Sequence, residues 1–114
     1  MGPVHSSIAS TIETIRAILN RNTVGTTLIV CPDSSMYLGA YRRYAAILLP
    51  EAATLCGHMV TRRDGSQVAF LGGSDTKNAP DGVPFTVEFL GWGSDVLSDN
   101  AVMQWWLDRA AFAR

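Results

Sequence analysis

The sequence predicts an α/β domain with a small, mostly parallel sheet, an antiparallel hairpin and three helices. Thr26–Cys31 is a continuous apolar, β-branched run, which is typical of a strand buried on both faces of a parallel sheet. A second strand-like run, Phe85–Leu90, follows much later in the chain. Helical patterns lie before, between and after these two runs, which favours right-handed crossover connections.

The first half of the chain predicts a helix, a strand and a second helix. Apolar residues recur at helical spacing early in the chain: Ile8, Ile12, Ile15 and Leu19. They predict a helix over residues 7–21, which Ser6 or Ser7 can cap. The buried strand 26–31 follows. Three tyrosines and a leucine then repeat at helical spacing, which predicts a second helix over residues 35–49: Tyr37, Tyr41, Tyr44 and Leu48.

The second half predicts a hairpin, a loop, a strand and a last helix. Asp64-Gly65 suits a tight turn between the short runs His58–Arg63 and Gln67–Leu71. Gly72–Pro84 is rich in Gly, Asp, Asn and Pro, so we expect a mobile, solvated loop before the strand Phe85–Leu90. A helix is predicted over residues 99–112. We expect one side of it to carry Val102, Trp105, Trp106 and Arg109 or Ala110.

Length and charge exclude several classes of protein. The 114 residues correspond to a single domain, residues 1–114. Nine Lys and Arg against ten Asp and Glu give a net charge of −1, so no global basic field can hold a nucleic-acid backbone. No apolar run approaches the roughly 18 to 20 residues of a membrane span. The first residues lack the features of a secretory signal, so we expect a cytoplasmic protein.

Several segments in order resemble one known family. Gly2–Ser7 resembles the end of a phosphate-binding loop that opens a helix, and Thr27–Pro32 the strand that follows it. Arg63–Phe70 resembles a hairpin, and Asp81–Leu90 the approach to a Walker B strand. Together they resemble the ATPase core of the large terminase subunit, the P-loop DNA-packaging motor of tailed bacteriophages. The resemblance implies a phage or prophage origin and, for a phage protein, the host cytoplasm.

The residues that the terminase chemistry requires are missing. The phosphate loop of that family carries a Lys, whereas His5 stands in its place and is mostly neutral at pH 7. The Walker B strand should end in an acidic pair that holds Mg²⁺, yet here Gly91-Trp92 follows. The weak candidates for a residual nucleotide site are Gly2, His5, Ser6, Ser7, Glu88 and Asp95. We therefore expect no working Walker motifs and no catalytic residue.

Metal ligands and nucleic-acid contacts have little support in the sequence. Cys31, Cys56, His5 and His58 lack the paired spacing of zinc ligands, so neither a metal nor a cofactor is predicted. Arginine pairs could contact phosphates: Arg42, Arg43, Arg62 and Arg63. Acidic residues lie close to both pairs in the sequence, which favours an ordinary solvated face.

The strongest functional signal is one of association. Residues Trp105 and Trp106 are rotated by about 100° from each other on a helix, so one faces the core and the other lies elsewhere. An exposed Trp marks an interface, and unpaired sheet edges invite further pairing. We expect a non-enzymatic protein that binds a protein partner or forms a homodimer. The alternatives are a weak nucleotide-binding or ATPase packaging component and a virion connector or structural protein.

Overall fold

Five strands form one mixed sheet in the computed structural model, which describes residues 8–32, 38–41, 43–44, 54–56, 59–92 and 101–113. The strands are β1 (Thr26–Cys31), β2 (Thr54–Cys56), β3 (Met59–Thr61), β4 (Gln67–Gly72) and β5 (Thr86–Phe89). The helices are α1 (Ile8–Arg21), α2 (described at residues 38–41, 43 and 44) and α3 (Ala101–Ala113). The order across the sheet is β2-β3-β4-β1-β5.

The buried strand predicted from the sequence lies inside the sheet. β1 pairs in parallel with β4 on one side and with β5 on the other, so that Ile29 is in register with both Phe70 and Glu88. Every residue of β1 after Thr26 is buried. β3 is antiparallel to both β4 and β2, so four of the five strands run in one direction. The predicted α/β fold with a mostly parallel sheet is confirmed.

The helices cover both faces of this sheet. One face packs against α1 and α2, and its cluster of buried residues contains Ile15, Ile18, Leu19, Ile29, Cys31, Leu38, Tyr41, Val68, Phe70 and Leu90. The other face packs against α3, and its cluster contains Leu28, Val30, Ala69, Leu71, Phe85, Trp106 and Ala110. Alternate residues of β1 and β4 therefore pack on opposite faces of the sheet, because successive side chains of a strand point in opposite directions.

The predicted hairpin is confirmed, with a shorter first strand and a second strand that is longer by one residue. Gly65 has a φ of +89°, and the turn closes because Arg62 N donates to Ser66 O at 2.8 Å. The Asp64 carboxylate accepts hydrogen bonds from the backbone N and the hydroxyl of Ser66, at 2.9 and 2.6 Å. β2 was not predicted, because three residues carry no recognisable alternation and this strand is defined by its pairing with β3.

The segment expected to be a solvated loop is partly ordered into the fold. Gly72 belongs to β4, and Gly73 is buried. The carboxylate of Asp75 accepts a hydrogen bond from Gly72 N at 2.8 Å, and Thr76–Asn78 form a short, exposed 3₁₀ helix. Gly72 and Gly73 are therefore not exposed to solvent as expected, whereas the residues after them are exposed or half-buried.

The residues that the sequence groups on one side of α3 divide between the core and the surface. The buried residues of α3 are Met103, Trp106 and Ala110, whereas Val102, Trp105 and Arg109 are exposed. The buried residues lie at positions i, i+3 and i+7 and form a normal helical stripe. Of the residues grouped on one side from the sequence, Trp106 and Ala110 belong to this stripe, and Val102, Trp105 and Arg109 do not. None of the described helices is long and apolar enough to cross a membrane.

Candidate functional site

The edge of the sheet where ligands usually bind is occupied by indole rings. In open α/β sheets, ligands bind beyond the carboxyl ends of the parallel strands. Here Trp92 Nε1 donates a hydrogen bond to Val30 O at 2.8 Å, at the end of β1. Trp106 Nε1 donates to Gly73 O at 2.9 Å, directly after β4. Two indole side chains are therefore fixed by backbone carbonyls in the described part of this edge.

Two glycines allow the close packing at the same edge. A Cβ atom on Gly73 would lie 2.8 Å from Val102 Cγ1 and 3.3 Å from a ring carbon of Trp92. A Cβ atom on Gly91, which has a φ of +86°, would lie 2.9 Å from Tyr41 Cε2. All three distances are shorter than ordinary van der Waals contact. The described part of this edge is therefore filled by side chains of α2, α3 and Trp92.

Of the six candidate residues for a nucleotide site, the structure describes only Glu88. Gly2, His5, Ser6, Ser7 and Asp95 lie outside the described residues. Among the residues described, no group of three or more His, Cys, Asp or Glu could hold a metal ion.

Glu88, the remaining nucleotide candidate, takes part in an ion pair within the protein. Its carboxylate accepts hydrogen bonds from Arg21 Nε and Nη2, at 2.9 and 2.8 Å, and from Asn22 Nδ2 at 2.7 Å. Both carboxylate oxygens are thus occupied by groups at the end of α1. The hydrogen bonds from Arg21 are the main cause that lowers the pKa of Glu88, and the bond from Asn22 acts in the same direction. A magnesium ion would have to displace these partners.

The ion pair predicts how the fold responds to acid. Because the folded-state pKa of Glu88 lies below its ordinary value of 4.5, the pair stabilises the fold above that pH. The stabilisation is lost as the pH falls through the lowered pKa. We expect Glu88→Gln to lower the free energy of unfolding by on the order of 1 kcal/mol at pH 7, since Arg21 is largely exposed. The variant should also lose less stability than the wild type on acidification.

Urea titrations at pH 7 and at acidic pH measure both effects. Glu13→Gln, at an exposed position of α1, is the matched control and should follow the wild type. An equal acid dependence in wild type and Glu88→Gln would contradict the assignment.

The arginine candidates for nucleic-acid binding have different surroundings. Arg42 lies outside the described residues, whereas Arg43 on α2 and Arg63 at the hairpin turn are exposed. Arg62 is half-buried, and its guanidinium donates hydrogen bonds to Leu19 O at 3.2 Å and to Asn22 O. These carbonyls lie at the C-terminal end of α1, where a cation is favourable. Arg62 therefore caps a helix, which its local sequence does not indicate because its partners lie 43 and 40 positions away.

The tryptophan pair divides between core and surface, as the helical rotation predicts. Trp106 is 0% exposed and is the member of the pair that faces the core, so of the two candidate interface residues only Trp105 is open to a partner. Trp105 is 37% exposed, and its ring meets that of Trp106 edge-on, with centroids 5.1 Å apart. The guanidinium carbon of Arg109 lies 5.6 Å from the centroid of Trp105, a cation–π distance. Val102, Trp105 and Arg109 share one side of the helix, which we call the α3 outer flank.

The strand beside α3 ends the described sheet. Leu90 N donates to Val30 O at 3.1 Å, so the backbone N–H of Leu90 points toward β1. In a parallel pair, successive residues of a strand direct their backbone groups alternately toward and away from the neighbouring strand. The backbone N–H and C=O of Val87 and Phe89 therefore point away from β1. All four residues of β5 are partly exposed. Within the described residues, no strand pairs with this outer side of β5. α3 also contacts β5, so the α3 outer flank and this edge belong to neighbouring elements.

Comparisons with protein-family models, with curated proteins and with solved structures find no match for the chain.

Proposed function

We propose that this chain is a small protein-binding module without a working nucleotide site, and that the α3 outer flank with the edge of β5 is its contact surface. The observation that carries the proposal is Trp105, a large aromatic side chain held at the surface between the ring of Trp106 and the guanidinium of Arg109. A protein partner or a second copy of the chain is the expected ligand.

The composition of the α3 outer flank supports a contact with protein. Trp and Arg are the residue types most enriched at the energetic centres of protein interfaces. Trp105 is held in place before binding by Trp106, which is fully buried, so little side-chain entropy is lost when a partner covers it. Val102, which is 41% exposed, extends the apolar surface by one turn. The exposed hydrogen bond between Gln104 and Asp108, at 2.8 Å, supplies a polar rim on the same helix.

The edge of β5 supports the same conclusion by a separate route. Unpaired N–H and C=O groups along a sheet edge are a template for pairing with another chain. Val87 and Phe89 present such groups, and their side chains pack partly against the α3 layer. A partner strand could therefore extend the sheet while its other side chains reach α3.

The proposal includes an origin among phage proteins related to the terminase ATPase core. What supports it is the order of α1, β1, the β3–β4 hairpin, β5 and α3 along the chain. Of the segments that carry the resemblance, Thr27–Pro32, Arg63–Phe70 and Asp81–Leu90 follow one another along β1, the hairpin and β5, whereas Gly2–Ser7 lies outside the described residues. The ion pair of Glu88 with Arg21 further disfavours a Mg²⁺ site on β5.

The surface can be tested with one substitution. Trp105→Ala should weaken association by about 2 kcal/mol or more, roughly a 30-fold change in dissociation constant, while the melting temperature stays near that of the wild type. Light scattering measures self-association, and affinity capture from the native host followed by mass spectrometry identifies a different partner. Leu107→Ala removes an apolar side chain that is 45% exposed on the other side of α3, and it should leave association unchanged.

The outcome of these measurements separates the alternatives. Two results together would contradict the proposed surface. The wild-type protein would be a monomer at high concentration, and Trp105→Ala would capture the same partners as the wild type. Assembly of the chain into rings would favour a virion connector instead.

Nucleotide binding is tested independently of the surface. Because the phosphate-loop Lys and the acidic pair are absent from the sequence, we expect Mg-ATP to bind with a dissociation constant weaker than about 1 mM and no hydrolysis above background. Isothermal titration calorimetry measures the first and phosphate release the second. Micromolar binding would replace the present proposal with a nucleotide-dependent function.

A further inference from the structure

Two Asp-Gly pairs in this chain have very different surroundings. Asp64-Gly65 forms the hairpin turn, and Asp81-Gly82 lies in the segment before β5. Among aspartates, one followed by Gly is the most prone to rearrange spontaneously, because glycine has no side chain to hinder its own amide nitrogen. We propose that Asp81 is a site of spontaneous isomerisation to isoaspartate and that the fold protects Asp64 from the same reaction.

The reaction needs only water. The amide nitrogen of the glycine attacks Cγ of the protonated aspartate, a new N–Cγ bond forms, and the carboxyl hydroxyl leaves as water with the amide proton. Water then opens the cyclic imide. Breaking the new N–Cγ bond restores aspartate, whereas breaking the bond from nitrogen to the main-chain carbonyl carbon leaves the chain linked through the side chain as isoaspartate. One water leaves and one returns, so the mass is unchanged.

Asp64 is held away from this reaction by hydrogen bonds. Its Oδ1 accepts from the backbone N and the hydroxyl of Ser66, which is buried. Gly65 N, the nucleophile, donates to Arg62 O at 3.0 Å within the turn. The two bonds from Ser66 also lower the pKa of Asp64, which disfavours the protonated form that loses water. Both reacting groups are therefore engaged with other partners.

Asp81 has none of this protection in the described part of the chain. Asp81 and Gly82 are both exposed, and within the described residues neither the Asp81 carboxylate nor the Gly82 amide makes a hydrogen bond to the protein. Gly82 has a φ of +76°, and no atom lies within 4 Å of the position of a Cβ there. The two groups can therefore sample the geometry of attack without breaking a contact.

One incubation measures both sites in the same molecule. The folded full-length chain is kept at neutral pH and physiological temperature, then cleaved after Lys77, its single lysine, which separates the two Asp-Gly pairs. Electron-transfer fragmentation locates isoaspartate in each fragment. We expect isoaspartate to accumulate at Asp81 several times faster than at Asp64. Equal rates in the folded chain, or a faster rate at Asp64, would overturn the proposal.

Two further arms identify the cause of the difference. In denaturant, the rates at the two sites should converge, and a difference that persists in the unfolded chain would show that local sequence, rather than the fold, is responsible. Gly82→Ala should slow the reaction at Asp81, because a methyl group hinders the attacking nitrogen, and should leave Asp64 unchanged. Ser66→Ala removes one of the two bonds to Asp64 and should raise the rate there without affecting Asp81.

Discussion

Trp106→Ala is expected to lower the free energy of unfolding by about 3–5 kcal/mol, a large part of the stability of an ordinary domain. Trp106 is fully buried in the cluster that joins α3 to the sheet, together with Leu28, Val30 and Leu71. Its removal leaves a cavity between the two layers that the rigid strands of the parallel core cannot close. It also leaves Gly73 O without the hydrogen bond from Nε1, which adds about 1 kcal/mol.

Chemical denaturation followed by circular dichroism measures the loss. Trp106→Phe separates its two causes, because phenylalanine keeps much of the apolar volume but cannot donate to Gly73 O. It should cost less than the alanine variant and more than Leu107→Ala, which removes an exposed side chain of the same helix. If Trp106→Ala kept the melting temperature of the wild type, α3 would not pack on the sheet as described.

The elements that the sequence predicted well are those defined by local pattern. The run Thr26–Cys31 has the continuous apolar character of a fully buried strand, and the structure has a strand with the same bounds. Asp64-Gly65 predicted the hairpin because the turn requires a residue that tolerates positive φ, and Gly65 has a φ of +89°. The opposite orientations of Trp105 and Trp106 follow from helical geometry alone.

The features that the sequence did not predict depend on contacts between distant parts of the chain. Arg21 and Glu88 are 67 positions apart, and nothing in either local segment indicates that they pair. Arg62 appeared as one member of a basic pair, although it caps α1. The position of Trp92 directly after the last strand follows from the sequence, but its hydrogen bond to Val30 O, 62 positions away, does not.

Gly91→Ala is expected to cost about 2–5 kcal/mol, because two effects add at this position. The φ of +86° is unfavourable by roughly 1–2 kcal/mol for a residue with a Cβ atom. The Cβ atom would also lie 2.9 Å from Cε2 and 3.0 Å from Cζ of the buried Tyr41, and even closer to its hydroxyl. Forcing Tyr41 aside in a packed layer costs about 1–3 kcal/mol more. The contact joins α2 to the end of β5, so its loss should loosen the carboxyl edge of the sheet.

Gly82→Ala isolates the backbone effect, because Gly82 has a similar φ of +76° with no atom within 4 Å of its Cβ position. We expect it to cost only the roughly 1–2 kcal/mol of the unfavourable φ. Denaturant titration measures the loss in free energy of unfolding for both variants, and the difference between the two losses is the cost of the contact with Tyr41. Adding Tyr41→Phe to Gly91→Ala removes the hydroxyl, and the double variant should be more stable than the sum of the two single changes predicts. Equal costs for Gly91→Ala and Gly82→Ala, with no coupling to Tyr41→Phe, would mean that Tyr41 does not press against the end of β5.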